Sequence, residues 1–355
     1  VTGALETISI NAAGIFLPWQ HVRISISAEE AVRTAVVTGH VPPGMSPPWP
    51  DDKVTLTASG TLLLTGYVRD LRPDQGPDDW QATITLVSRT VDAVETSILH
   101  KTGRVENKDI KGIGEAFDNL GIGIEAQGSF ETIAKHQIEP GESLYSTLEP
   151  LARAEAAIIH DTAEGKLFIA KKPGGTHSGG LAAGVNIVSA SAEFSGQGKF
   201  NPTIIRGQQS RGTTPQALRP ESKANDPSVG RNRPKIVVLD GEATASHMKN
   251  AAEWEARAAA GLAVNATIVV VGWRDAGGKT WTPNWQVYVR HPRIYLDQMM
   301  VIKSVELSQD TAGDGEGTRA TLTLTDPRAL GGSSSGSKSG KGWSAPEPKA
   351  DYQAQ

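Results

Sequence analysis

Trp273, Trp281 and Trp285 fall within thirteen residues of a chain that has only eight tryptophans. Arg274-Asp-Ala-Gly-Gly-Lys279 separates the first two, and Thr282-Pro-Asn284 the last two. Indoles at this density can stack a sugar ring or a base, wall an active site, or plug a core or a subunit contact. Asp275 through Gly277-Gly278 is good hairpin-loop chemistry. Beyond it Trp285, Val287 and Val289 share one face of an alternating strand. An indole at the end of such a strand more often fills a core or an interface than it presents a sugar platform. The other chemistry-bearing residues form no familiar set. The eight histidines are scattered, and HExxH, GxSxG and the phosphate-loop pattern are absent. Without cysteine, thiolate metal sites, disulfides and cysteine nucleophiles are excluded. Gly121–Gly128 follows a helical pattern instead of opening one, and Asp310–Gly317 lacks the spacing of an EF-hand loop. No catalytic residue, metal ligand or cofactor is assigned, and the chain is not expected to be an enzyme. Arg231 and Arg233 stand in a basic excursion over 206–235, which suits either an acidic partner face or plain solvation. Trp254 sits on an Ala-rich helical stretch, 243–262, that can cover its own β-domain or meet another subunit.

The elements that must position these residues are mostly strands. Arg23–Ser27, Lys53–Thr57, Leu62–Val68 and Gln81–Val87 alternate apolar with Ser and Thr, as half-buried antiparallel strands do. His40–Asp52 holds five prolines and is a long loop. The period then turns helical: Ile110, Ile113, Phe117 and Leu120 predict one helix stopped by Gly121, although Gly112 and Gly114 weaken it. A second helix starts near Ser143 with Leu144, Leu148, Leu151 and Ala152 on one face, and Pro150 should kink or split it. Ala157–His160 and Leu167–Ala170 make a hairpin. A Gly-rich linker, 173–184, leads to further strands, to a polar loop over 207–234, and to the Trp hairpin. The tail from Gly331 is low-complexity and is expected to be flexible. With 355 residues there is room for two or three domains. A net charge of -4 argues against a general nucleic-acid binder. The opening residues show no basic segment before an apolar run, and no window approaches 18 apolar residues, so neither a signal peptide nor a membrane helix is expected.

Two distant segments look alike. Gly66–Leu86 and Lys303–Leu324 each read as strand, acidic Gly-bearing loop, then Ala-Thr-Ile/Leu-Thr-Leu, and each follows an apolar stretch. Either these are unrelated hairpins or one β-domain occurs twice.

Gly272-Trp-Arg-Asp275, Gly278-Lys-Thr-Trp-Thr-Pro-Asn284 and Val287-Tyr-Val289, with the Trp-bearing helix upstream, resemble the baseplate hub protein of Mu-like contractile-tailed bacteriophages, a tail-tube-type barrel hub of the late control protein D-like superfamily. Leu64–Val68, Ser88–Asp92, Pro140–Tyr145 with Leu151–Arg153, Gly165–Leu167 and Arg231–Lys235 fit the same pattern in the same order, covering about residues 1–330. The resemblance implies a mainly β fold: two tail-tube-like antiparallel β-barrel domains, 1–94 and 176–330, flank an α+β insert, 95–175, before the tail, 331–355. It implies a homotrimer whose six barrels form a pseudo-sixfold ring, joining a sixfold tail tube to a threefold central spike. The partners implied are itself, the tube or tube-initiator protein, the spike and other baseplate (wedge) proteins. DNA would pass through the lumen only in transit, with no stable membrane insertion. The place implied is the virion tail baseplate, after synthesis in the host cytoplasm. Trp273, Trp281, Trp285, Trp254, Arg231 and Arg233 are then structural or interface residues. The alternatives are a tail-associated cell-wall hydrolase, a carbohydrate-binding β-protein using the three hairpin indoles, and the same hub in a contractile bacteriocin.

Overall fold

The computed structural model describes residues 5–42, 44–76, 80–208, 220–226, 229–242, 248–249, 251–252, 255–256, 259, 261, 263–311, 317–332 and 349–353. The chain is mainly β, as expected. One 13-stranded sheet runs from Ile187–Phe194 through Val264–Val271, Thr318–Thr325, Leu296–Asp310, His21–Ser27, Thr34–His40, Trp80–Ser88, Thr61–Gln75 and Lys53–Ala58 to Ile8–Ala12 and Ile15–Phe16. Gln286–His291 branches from Leu296–Asp310 and pairs with Leu181–Ala182. The alternation predicted from sequence is the alternation observed: in His21–Ser27 every second residue, Val22, Ile24 and Ile26, is buried. One continuous apolar cluster links Ile10, Leu56, Leu64 and Leu86 with Ile268, Val305, Leu322 and Leu324.

The repeat is real at the level of single hydrogen-bonded pairs. In the first hairpin Val68 faces Leu86, a bulge follows, and Asp70 faces Thr85. In the second Ile302 faces Leu324, a bulge follows, and Ser304 faces Thr323. The extra residues are Arg69 and Lys303, both basic. Just before each long strand's bulge the same clasp recurs. Asp51 N–H donates to Val68 O and Val68 N–H to Asp52 O; Asn284 N–H donates to Ile302 O and Ile302 N–H to Trp285 O. Asp51 and Asn284 both take positive φ, 73° and 59°. The strand order His21–Ser27, Thr34–His40, Trp80–Ser88, Thr61–Gln75, Lys53–Ala58 therefore recurs as Ile187–Phe194, Val264–Val271, Thr318–Thr325, Leu296–Asp310, Gln286–His291. The two units join through antiparallel pairing of Leu296–Asp310 with His21–Ser27, from Ser304 opposite Ser27 to Asp310 opposite His21.

Between the units lies an α+β body with its own core of Ile110, Ile113, Phe117, Leu148 and Ile169. Helix Ile110–Phe117 is N-capped by Asp109. Leu120 was expected on it but is exposed, because the carboxylate of Asp118 accepts the N–H groups of Ile122 and Gly123 and turns the chain first. Helix Leu144–Ala154 runs through Pro150 unbroken. A capping box between Ser143 and Ser146 fixes its start, and buried Leu144, Leu148 and Ala152 hold it on both sides of the proline.

A smaller four-stranded sheet has the order Lys235–Glu242, Thr203–Gln208, Glu221–Asn225, Lys349–Gln353. Strand Glu221–Asn225 falls inside the stretch read as a loop, 207–234. Lys349–Gln353 falls inside the tail read as flexible, and pairs antiparallel with Glu221–Asn225. Met248, Ala252 and Ala256, on the expected helix, pack on Ile205 and Ala224, so the small alanines serve close approach to this sheet.

Candidate functional site

The tryptophan hairpin is built from the end of Val264–Val271 and the entry to Gln286–His291. Trp281 N–H donates to Trp273 O at 2.9 Å, and Arg274 pairs with Thr280. Trp273 and Trp281 are buried within the large core, and Trp273 Nε1 donates to Ser308 O at 3.0 Å. Trp285 is half-buried. Its ring lies so close to Gly174 and Gly175 that a Cβ at either would stand 2.8 Å from it, so the linker's glycines let an indole lie on backbone. Lys279 Nζ sits 3.5 Å from the centroid of the Trp285 ring, a cation–π contact. Two of the three indoles thus offer no exposed face for a sugar.

Behind the hairpin is a buried pair that the sequence reading passed over. His177 Nδ1 lies 2.8 Å from Asp275 Oδ2, and both side chains are out of solvent. Thr282 N–H donates to His177 Nε2 at 3.2 Å, so the ring is the neutral tautomer donating from Nδ1 to Asp275. Burial holds the imidazole below its ordinary value, against the opposing pull of Asp275. Burial would raise the Asp275 carboxyl, but the N–H of Ser178, the His177 ring and the N–H of Lys279 together carry it below the usual range. The His177 ring lies 4.8 Å from Trp281 and 5.3 Å from Trp285, centroid to centroid. Both imidazole nitrogens are committed, so the pair resembles a base with its orienting acid but has no substrate-facing atom. Its work is to fasten the linker to the hairpin.

Two arginines fasten the larger parts. Arg274 makes a two-pronged contact with Glu6, 2.7 and 3.0 Å, and donates to Ala58 O and Thr61 Oγ1. That ties the hairpin to the first β-unit. Arg33 ties the first unit to the insert: its Nε donates to Asp161 Oδ2 at 2.8 Å, with further bonds to Asp161 O and Leu63 O. Arg33, Arg274, His160, Trp281 and Trp285 line a cleft of 620 Å³ where the two units and the insert meet. His160 Nδ1 donates to Asp161 O, and burial holds that ring's pKa below its ordinary value. No nucleophile stands beside a free base there among the described residues. The arrangement is chemistry for clamping modules.

The remaining candidates do not gather at this site. Arg233 donates to Gly196 O and Gln197 O and lies over Phe200, closing the smaller sheet's entry. Arg231 is exposed nearby. Trp254 lies outside the described residues. The residues that sequence reasoning missed, His177, Asp275, Arg33, Asp161 and Glu6, are brought together from far apart. The signals available were a histidine inside a Gly-rich linker and an Asp at a hairpin start.

Comparison with known proteins agrees with this architecture. Residues 244–331 match the family described as Mu phage baseplate assembly protein GpP, fourth domain. The chain is 23% identical over 337 residues to the baseplate hub protein gp44 of Escherichia phage Mu, covering 89% of this chain and 87% of that one. Its fold is similar to the 43 kDa tail protein of prophage MuSo2 from Shewanella oneidensis, with TM-score 0.79, 26% identity, and 92% and 99% of the two chains covered. It is also similar in fold to a tail protein from Neisseria meningitidis MC58, with TM-score 0.75, 16% identity, and 92% and 98% covered. The match at 244–331 and the likeness along the chain place this protein among the relatives of the Mu-like phage baseplate hub proteins.

Proposed function

We propose that the chain is the structural baseplate hub of a phage tail, a homotrimer whose two β-units per subunit form a pseudo-sixfold ring. The observation that carries this is the internal duplication, matched strand for strand and bulge for bulge, with the two copies joined edge to edge in one sheet. Three such chains present six similar units, which suits a sixfold tube on one face and a threefold spike on the other. On this reading the chain divides into a first β-unit over 1–94, an insert over 95–175, a second β-unit over 176–330 carrying the smaller sheet, and a tail. Its partners are further copies of itself, the tube or its initiator, the spike and neighbouring baseplate proteins. DNA passes through the lumen without being held, and the protein acts in the virion after synthesis in the host cytoplasm. The indoles and arginines of the hairpin are fasteners that keep the ring intact under load.

The test is the absolute mass in solution, by light scattering coupled to size exclusion at two concentrations. A stable species of about three chain masses is expected for closed cyclic symmetry. A concentration-independent monomer would overturn the trimer.

A further inference from the structure

The cleft of 620 Å³ has a sheet face for one wall and the tryptophan hairpin for another. Strands Ile124–Gln127, Leu167–Ala170 and Ile158–Asp161 of the insert lie side by side, and period-two alternation gives their sheet two unlike faces. Ile124, Ile159, Leu167 and Ile169 belong to the insert's own core. The residues between them face the other way. Glu125, Phe168 and His160 stand opposite one another across the three strands and line the cleft, with Gln127 beside them.

Buried polar atoms without a partner gather at this cleft. Among the described residues ten side-chain atoms are closed to solvent and make no hydrogen bond. Six of them belong to residues that line it: Gln127 Oε1, His160 Nε2, Asp161 Oδ1, Thr280 Oγ1, Trp281 Nε1 and Asn284 Oδ1. Asp161, Trp281 and Asn284 are 2%, 3% and 2% exposed. Every such atom costs stability, and native proteins leave few of them. Six around one cleft mark a place made for an occupant.

Their chemistry says what kind. Asp161 Oδ1 and the amide oxygens of Gln127 and Asn284 only accept. His160 Nδ1 donates to Asp161 O, which leaves Nε2 accepting. Trp281 Nε1 only donates, and the Thr280 hydroxyl does either. The occupant therefore brings more donors than acceptors. A cation is disfavoured, because Arg33, Arg274 and Lys279 already line the cleft against Glu125 and Asp161. An anion would meet the four acceptors. Hydroxyl groups satisfy both conditions, since each is uncharged, donates once and also accepts. Clefts of about 300–1,000 Å³ at module boundaries hold small molecules.

We propose that this cleft binds a neutral saccharide of one or two rings. Its hydroxyls donate to Asp161, His160 and Gln127 on the insert wall and meet Thr280, Asn284 and the N–H edge of Trp281 on the hairpin wall. No indole face is needed. The terminal amide torsions of Gln127 and Asn284 are soft, so these groups turn onto the ligand as it enters. The site lies within one chain and does not depend on the number of subunits. A bound sugar would bridge the insert to the second unit, as Arg33 bridges it to the first.

The test is isothermal titration of the full chain, in whatever assembly it forms, with maltose, cellobiose and N,N′-diacetylchitobiose. Spermidine and citrate serve as cationic and anionic probes. Saturable heat is expected with at least one disaccharide and with neither charged probe. Thr280→Val removes a hydroxyl that bonds nothing in the free protein, so the variant should melt no lower than the parent. It should nonetheless bind the sugar about tenfold more weakly, the factor of one hydrogen bond. Gln127→Leu should weaken binding similarly from the opposite wall. No heat with any of the three disaccharides overturns the assignment, as does binding of spermidine or citrate in their place. Sugar binding that both variants leave unchanged puts the ligand elsewhere and overturns the site.

Discussion

At the scale of single residues, the buried polar groups are fasteners, and their protonation is tied to folding. Burial keeps His177 neutral, so its folded titration lies below the ordinary 6.5. As pH falls, the unfolded chain therefore takes up this proton first. The stability contributed by the neutral ring is whole above that value and is lost progressively below it. The melting temperature should fall between about pH 7.5 and about pH 5.5, and His177→Gln should flatten the decline. It should not abolish it, because burial lowers His160 and His136 in the same direction. Asp275 acts in a lower window, since a depressed carboxyl loses its contribution only as pH drops below the usual 3.8. An unchanged slope in His177→Gln would show that the ring is indifferent to its charge. Arg33 carries a different cost. Both it and Asp161 are nearly out of solvent, so Arg33→Ala strands a buried carboxylate. The expected loss is about 3–5 kcal/mol, read as a lower urea midpoint.

At the scale of elements, the bulges at Arg69 and Lys303 set which side chains face inward. Side chains alternate with period two, so removing one residue flips one half of a strand. Deleting Lys303 leaves no register that buries both Met300 and Ile302 on one side of the bulge and Val305 and Leu307 on the other. The cooperative unfolding transition should disappear. Lys303→Ala keeps the count and loses only an ion pair with Glu29, worth under about 1 kcal/mol at this exposure. Comparable melting curves for the two would remove the bulge from the account. The sequence carried part of this plainly. The strands were legible because half-buried strands alternate, Ser143 was legible as a helix start, and the duplication was visible in Ala-Thr-Ile/Leu-Thr-Leu. The bulges were not, because an extra residue leaves no compositional mark. Nor was the small sheet: the strand within 207–234 is polar and short, and its neighbour Lys349–Gln353 arrives from a stretch whose composition resembles a linker. The fasteners were hidden by distance. His177 and Asp275 are 98 residues apart, and Arg33 and Asp161 are 128 apart. A lone His or Asp says nothing about a partner that only the fold supplies.

At the scale of the whole molecule, the two β-units are one body. A single apolar cluster runs through both, and the strand that joins them is buried on alternate residues in each. Arg274 reaches from the second unit to Glu6 of the first, and Gln309 donates from the second to Glu6 O at 2.9 Å and accepts from Glu6 N–H at 3.0 Å. An isolated first unit, residues 1–94, would lose the neighbour of His21–Ser27 and gain an open edge there. It would also lose the partners of Glu6. Open edges on regular strands drive self-association. Expressed alone, that segment is therefore expected to aggregate or to form mixed oligomers in light scattering, while the full chain gives a defined species. A monodisperse, cooperatively folding monomer of 1–94 would mean that each unit is complete by itself. The joint would then be a contact between finished domains instead of one sheet.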